Sequence, residues 1–222
     1  MAGVPPRHLL AIPTTWTLHH GSAVAGVSPC HFLAIPAIIL VMETYRIQEG
    51  VALYYLTFTV VHWLPVFVSD EPSLILTESL NFCHHHKALR VNAFVIMPTH
   101  AHLVAFDADY DNQRLQSSLT AMRQYTGRQL ADYCEQKMPK VYSQLINAPR
   151  RSDRERQFWQ VSKHPEAIWT EQFWQTKVNY LHDNPRRKGL VHEVTAWRFS
   201  SAAYWLQEPP GESDVVLTGV QW

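Results

Sequence analysis

Two histidines separated by one residue, His100 and His102, have the clearest potential for metal chemistry in this chain. They open the run HAHLVAF, which has the composition of a strand. Side chains two apart on a strand point to the same face, so both imidazoles can meet one metal ion. Two half-exposed strand histidines without a ligand would show the same spacing, and the pair alone does not separate these interpretations.

A second candidate group combines a tyrosine with an amide one helical turn later. Tyr180 and Asn184 lie near the end of a predicted helix, and Tyr125 and Gln129 repeat the arrangement on an earlier one. A tyrosine beside a bound cation can act as a nucleophile, with the amide as a further ligand. The spacing equally fits Tyr180 as an amphipathic residue at the core edge, with Asn184 capping the helix before Pro185.

The elements that must position these residues alternate between strand and helix patterns. Strand patterns, rich in β-branched and aromatic residues, occur at 51–61, 90–97, 100–106 and 157–161. Helical patterns occur at 70–83, 113–138 and 170–183, and Pro185 disfavours helical geometry just before it. This order predicts an α+β fold, a ferredoxin-like antiparallel sheet with helices on one face, followed by a C-terminal helix that carries Tyr180.

The composition describes a folded chain with unevenly distributed charge. Of 222 residues, 46% are hydrophobic and 17% are charged, which excludes a wholly disordered chain. Nineteen basic residues balance nineteen acidic ones, which argues against a protein that coats nucleic acid by bulk charge. Residues 135–200 nevertheless hold twelve of the basic residues against seven acidic ones. The basic clusters of this part contain Arg150, Arg151, Arg154, Arg156, Arg186, Arg187 and Lys188, which are either solvated surface charges or contacts for the phosphates of a nucleic acid.

Neither a disulfide framework nor a membrane span is expected. Three scattered cysteines are too few for a disulfide scaffold or a Cys-rich zinc site, and they favour a reducing cytoplasm. The apolar run at 31–42 contains Pro36 and is shorter than the roughly 20 apolar residues of a membrane-spanning helix.

The N-terminal segment 1–41 differs from the rest of the chain. It contains one charged residue, Arg7, and GVPPRHLLAIP at 3–13 recurs as GVSPCHFLAIP at 26–36 with eight of eleven positions identical. Two copies are too few for a stacked repeat. We expect translated repetitive DNA upstream of a natural start at Met42, or alternatively a flexible arm. The domain would then span 42–207, with a tail at 208–222.

Four segments resemble the REP-associated tyrosine transposases, which belong to the single-tyrosine HUH endonuclease superfamily of bacterial IS200-like transposases. The segments are VALYYLTFTVV (51–61), AFVIMPTHAHLVAF (93–106), KVNYLHDNPRRKGLV (177–191) and WRFSSAAYW (197–205). The resemblance covers about residues 45–205. Its most specific features are the histidine pair after Met-Pro and the later Tyr-Leu-His-Asp-Asn-Pro segment, in that order.

The resemblance implies cleavage and rejoining of single-stranded DNA with Mg²⁺ or Mn²⁺. It assigns His100 and His102 as metal ligands and Tyr180 as the nucleophile that forms a 5′-phosphotyrosine. Asn184 takes the place of a third ligand, a glutamine in many relatives, while Thr99 stands where the family usually has asparagine. The implied partner is single-stranded or hairpin DNA, and the implied state is a monomer or a homodimer in the bacterial cytoplasm.

Two other functions fit parts of the sequence. A module of the same fold could bind hairpin DNA without cutting it, although the intact His100, His102 and Tyr180 argue against that interpretation. A metal-dependent hydrolase with another substrate would use the histidine pair for zinc. It would need a third His, Cys or carboxylate ligand, and the sequence offers no H-E-x-x-H or C-x-x-C pattern.

Overall fold

The strands and helices follow the predicted order. A computed structural model describes residues 44–46, 53–148, 156–161 and 165–222. Its strands are β1 (Thr44–Arg46), β2 (Leu53–Thr59), β3 (Leu89–Met97), β4 (His100–Asp107), β5 (Glu166–Ile168) and β6 (Gly219–Gln221). Its α-helices are α1 (Asp70–His86), α2 (Asn112–Lys137), α3 (Lys140–Ile146), α4 (Glu171–Arg187) and α5 (Ala202–Leu206). The expectations for residues 1–41 and for Arg150, Arg151 and Arg154 lie outside the described residues.

Four strands form a sheet in the order β3-β4-β2-β5, with every neighbouring pair antiparallel. The predicted α+β architecture with an antiparallel sheet is therefore confirmed. Residues Pro98 and Thr99 form the tight turn between β3 and β4, and the hairpin closes with Met97 opposite His100. This turn places the first histidine at the very start of its strand.

The two faces of the sheet carry different helices. Alternate residues of β4, Ala101 and Leu103, are fully buried in the core formed with α1 and α2. The alternating residues His100, His102 and Val104 point to the opposite face, where Val104 packs in a cluster with Leu181 of α4. The period of two in β4 therefore separates the apolar core residues from the histidines.

The fourth strand of the sheet is not where the sequence pattern predicted it. The strand is Glu166–Ile168, which pairs with Leu53–Tyr55 of β2. The predicted segment 157–161 makes only an isolated bridge between Trp159 and Val60. The segment resembles a strand because its aromatic residues, Phe158 and Trp159, are buried in the core beneath α2. The true strand β5 has only three residues, too few to show a period of two.

Helix α4 is longer than predicted and contains Pro185 in its last turn. The helix ends at Arg187, and Gly189 follows with a φ of +68°. A left-handed glycine just past the last turn is a common helix terminator, so the end of the helix is marked by Gly189 and not by Pro185. Asn184 is thus an internal helical residue and not a cap, because the C-cap is Lys188.

The C-terminal residues also contribute a strand. Strand β6 pairs in parallel with β1, in register from Thr44 opposite Gly219 to Arg46 opposite Gln221. Val220 and Trp222 pack against the apolar cluster on the α4 side of the main sheet. Within the described segments, no helix combines the length and apolarity that crossing a membrane requires.

Candidate active site

The two histidines of β4 lie side by side on the α4 face of the sheet. Their ring centroids are 4.8 Å apart. The Nδ1 atom of His102 lies 2.9 Å from Thr57 Oγ1, and the Nδ1 atom of His100 lies 2.9 Å from Thr99 Oγ1. When each Nδ1–H donates to its threonine oxygen, both Nε2 lone pairs are available to one ligand. Metal-binding histidines are commonly oriented by such outer hydrogen bonds.

The surroundings of the pair favour neutral imidazoles. Burial, followed by the charges of His100 and Lys177, lowers the pKa of His102 to about 3. Burial and the charge of Lys188 also lower the pKa of His100. A neutral imidazole keeps the lone pair that a metal ion requires. At neutral pH both rings are therefore in the neutral form that can bind a cation, and the two nearby ammonium groups favour that form.

Tyr180 comes from α4 and lies beside this pair. The centroid of its ring is 6.3 Å from that of His102. The side chain is 44% exposed, so a substrate can reach the phenol. The guanidinium of Arg187 lies over the face of the Tyr180 ring, 4.9 Å from its centroid. The structure thus brings together a pair of neighbouring histidines, an accessible phenol and basic groups.

Asn184 lies one helical turn after Tyr180 and is only 4% exposed. Its Nδ2 atom is buried and has no hydrogen-bond partner within the described part of the chain. Buried side-chain amide nitrogens are normally hydrogen-bonded, so this one is an exception. Two imidazole nitrogens and an amide oxygen are a type of donor set that suits a divalent ion with positions left for phosphate oxygens.

No third histidine, cysteine or carboxylate joins the pair among the described residues. A zinc hydrolase would need such a ligand in addition to the two imidazoles. The described site therefore lacks the feature that the hydrolase interpretation required.

Tyr125, the competing nucleophile, does not lie in this site. It is 56% exposed on α2, and α2 packs on the face of the sheet opposite the histidines. Its side chain points to solvent. The two tyrosines have the same local spacing, and only their placement on opposite faces of the sheet distinguishes them.

Sequence reasoning missed two groups that border the pair. The ring of Tyr55 stacks on His102, with centroids 5.3 Å apart. The ammonium of Lys177 lies 4.9 Å from the centroid of the Tyr55 ring and 2.7 Å from a carboxylate oxygen of Glu166. Lys177 shares a helix face with Tyr180, which was a usable signal. Nothing in the sequence places Tyr55 beside His102, because that contact depends on the pairing of β2 with β4.

Those predicted DNA-binding residues that the structure describes divide into three groups. Arg187 and Lys188 lie at the site, beside Tyr180 and within electrostatic range of His100 respectively. Arg186 forms an ion pair with Asp183 at 2.6 Å. Arg156 forms ion pairs with Asp132 and Glu135 of α2, on the other side of the sheet.

No model of a known protein family matches the sequence. No curated protein matches it either. Among solved structures, the chain is similar to the REP-associated tyrosine transposase bound to a REP hairpin, at 19% sequence identity and a TM-score of 0.49, over 78% of this chain and 93% of that chain.

Proposed function

We propose that this protein is a metal-dependent single-stranded DNA endonuclease and strand transferase, a transposase-type enzyme that uses Tyr180 as its nucleophile. The observation that carries the proposal is the position of the accessible Tyr180 ring 6.3 Å from His102, one of two adjacent neutral imidazoles. A nucleophile beside a metal-ligand pair is the arrangement that phosphoryl-transfer chemistry needs. The sequence motifs around these residues point to the same chemistry.

The histidines and Asn184 are the residues that would hold Mg²⁺ or Mn²⁺. Thr57 and Thr99 fix the orientation of the two rings through their Nδ1 atoms. Such an ion, when bound, polarises a phosphate and neutralises developing negative charge. The protein's part is to present two preoriented Nε2 atoms and an amide oxygen next to the phenol.

Tyr180 then exchanges one phosphoester bond for another. Its oxygen attacks the scissile phosphorus, the bond from phosphorus to the 3′ oxygen breaks, and a 5′-phosphotyrosine forms. The phenol proton ends on the released 3′ oxygen, so the products are a covalent DNA–protein link and a free 3′-OH. The energy of the phosphodiester is retained, and a second 3′-OH can reverse the step to rejoin DNA without ATP.

The substrate class that we propose is hairpin DNA with unpaired flanks. Arg187 and Lys188 provide positive charge beside Tyr180 and His100. Such charges position phosphates and carry no sequence information themselves. An unpaired strand is expected at the tyrosine because the sequence motifs around it resemble those of single-stranded DNA endonucleases.

The direct test is covalent trapping. The protein is incubated with a labelled library of DNA hairpins that have randomised single-stranded flanks, with Mn²⁺ or with EDTA, and is then denatured in SDS. We expect a metal-dependent, SDS-resistant adduct. Binding of the hairpins without any adduct would support a non-cleaving module and contradict the proposal.

Salt dependence tests the role of Lys188. We expect Lys188→Ala to weaken binding to single-stranded DNA at low salt and to reduce the slope of log affinity against log salt by about 0.7, the value for one phosphate contact. Binding is measured by fluorescence anisotropy at several salt concentrations. Lys140→Ala, a change at the exposed start of α3, is the matched control. An unchanged slope in Lys188→Ala would remove Lys188 from the interface.

A further inference from the structure

The hydroxyl group of Tyr55 has no explained role in the fold. The residue is 8% exposed, and its Oη atom is buried with no hydrogen-bond partner within the described part of the chain. Burying a hydroxyl without a partner costs free energy, and most buried polar atoms in proteins are therefore hydrogen-bonded. A phenylalanine at this position would fill almost the same space without that cost. The presence of tyrosine here therefore suggests that the hydroxyl has a role outside the fold.

Its surroundings point to the reacting tyrosine. Tyr55 and Tyr180 both contact His102, at centroid distances of 5.3 and 6.3 Å. Tyr180 and Glu166 lie within electrostatic range of the Tyr55 hydroxyl. Glu166 is already paired with Lys177 at 2.7 Å. Tyr180 is 44% exposed, so close packing does not hold its side chain on every side. Of these two neighbours, Tyr180 is the one whose oxygen reacts in the proposed function.

We propose that the Tyr55 hydroxyl donates a hydrogen bond to the Tyr180 oxygen while that oxygen carries negative charge. The inference rests on the proposed function. Negative charge develops on the Tyr180 oxygen as it loses its proton before attack. It develops again in the reverse step, when a 3′-OH attacks phosphorus, the bond to the Tyr180 oxygen breaks and the phenolate leaves. A donor held in a water-excluded position stabilises such charge strongly, because it need not reorganise.

In both directions Tyr55 keeps its own proton. The proton lost by Tyr180 during attack ends on the released 3′ oxygen, and the reverse step returns it to Tyr180. Tyr55 is thus a hydrogen-bond donor to the reacting atom and not a second nucleophile. Its burial fits this division, since a substrate phosphate reaches the exposed Tyr180 but not the Tyr55 oxygen.

The test compares Tyr55→Phe with Tyr54→Phe in the full chain. Each change removes one hydroxyl from β2, but Tyr54 packs on the opposite face, against the core with α1 and α2. We expect Tyr55→Phe to leave Tm unchanged or higher and the Kd for hairpin DNA unchanged. The rate of adduct formation should fall about 10- to 100-fold, as for loss of a hydrogen bond to a charged group. Tyr54→Phe should form the adduct at the wild-type rate.

The outcomes separate the two proposals. If the wild-type protein forms no adduct, the proposed function fails and Tyr55 has no reaction to assist. If the wild type forms the adduct and Tyr55→Phe forms it equally fast, the inference about Tyr55 is wrong. A marked fall in Tm for Tyr55→Phe would show that the hydroxyl serves the fold, and it would also overturn the inference. So would an equal rate loss in Tyr54→Phe.

Discussion

Tyr180→Phe is expected to abolish the covalent DNA adduct while retaining the fold, metal binding and hairpin binding. The change removes one oxygen from a side chain that is 44% exposed, so little packing is lost. Both His102 and the Arg187 guanidinium lie near the ring itself, so the phenylalanine ring can still contact them. The measurement is SDS-resistant adduct on labelled hairpin DNA, with Kd and Tm recorded on the same samples.

Tyr125→Phe is the matched control for this prediction. Tyr125 is also exposed and also precedes an amide by one helical turn, but it lies on α2 across the sheet. We expect this variant to form the adduct at the wild-type rate. Peptide mapping of the trapped complex gives an independent answer. A label on the peptide that contains Tyr125 would overturn the assignment of Tyr180 and remove the reason to pair Asn184 with the metal.

The second large effect is expected from the histidine pair. His100→Ala and His102→Ala should each abolish hairpin cleavage and largely spare hairpin binding, because phosphate contacts come from basic residues elsewhere. Each variant should also weaken Mn²⁺ binding by more than the roughly 10- to 100-fold that loss of an outer hydrogen-bond partner causes. Mn²⁺ affinity is measured by calorimetric titration of the EDTA-treated protein, and cleavage is measured separately.

Two controls keep this prediction specific. His85→Ala changes an exposed histidine at the end of α1 and should alter neither readout. His102 is 8% exposed and contacts two tyrosine rings, so its removal leaves a space in the site. His102→Leu fills more of that space without supplying a ligand atom, so it tests whether lost activity follows from lost packing. Full cleavage by both alanine variants would end the assignment of these residues as metal ligands.

The sequence determined the local arrangement of the candidate site. The period of two in a strand puts His100 and His102 on one face regardless of tertiary context, and the structure shows them 4.8 Å apart. The order of strand and helix patterns was enough to predict an antiparallel α+β sheet, because the spacing of apolar residues in a long segment indicates its type and its buried face. The turn at Pro98 and Thr99 was also visible, since proline interrupts strand pairing.

Tertiary structure decided what local patterns could not. The segment 157–161 has a strand composition because Phe158 and Trp159 are buried beneath α2, while the real edge strand is three residues long. Helix α4 continues through Pro185 and ends before the left-handed Gly189. In both places packing or a backbone conformation outweighed the preference of the local sequence.

The choice between the two tyrosines shows the same division most clearly. Spacing gave Tyr125 and Tyr180 the same amide neighbour one turn later, and only the placement of α2 and α4 on opposite faces of the sheet distinguishes them. Tyr55 likewise reaches His102 through the register that sets Thr57 opposite His102. Sequence periodicity fixes which side chains share a face of one element. Contacts between elements depend on strand pairing and helix packing, which bring together residues that are distant in the chain.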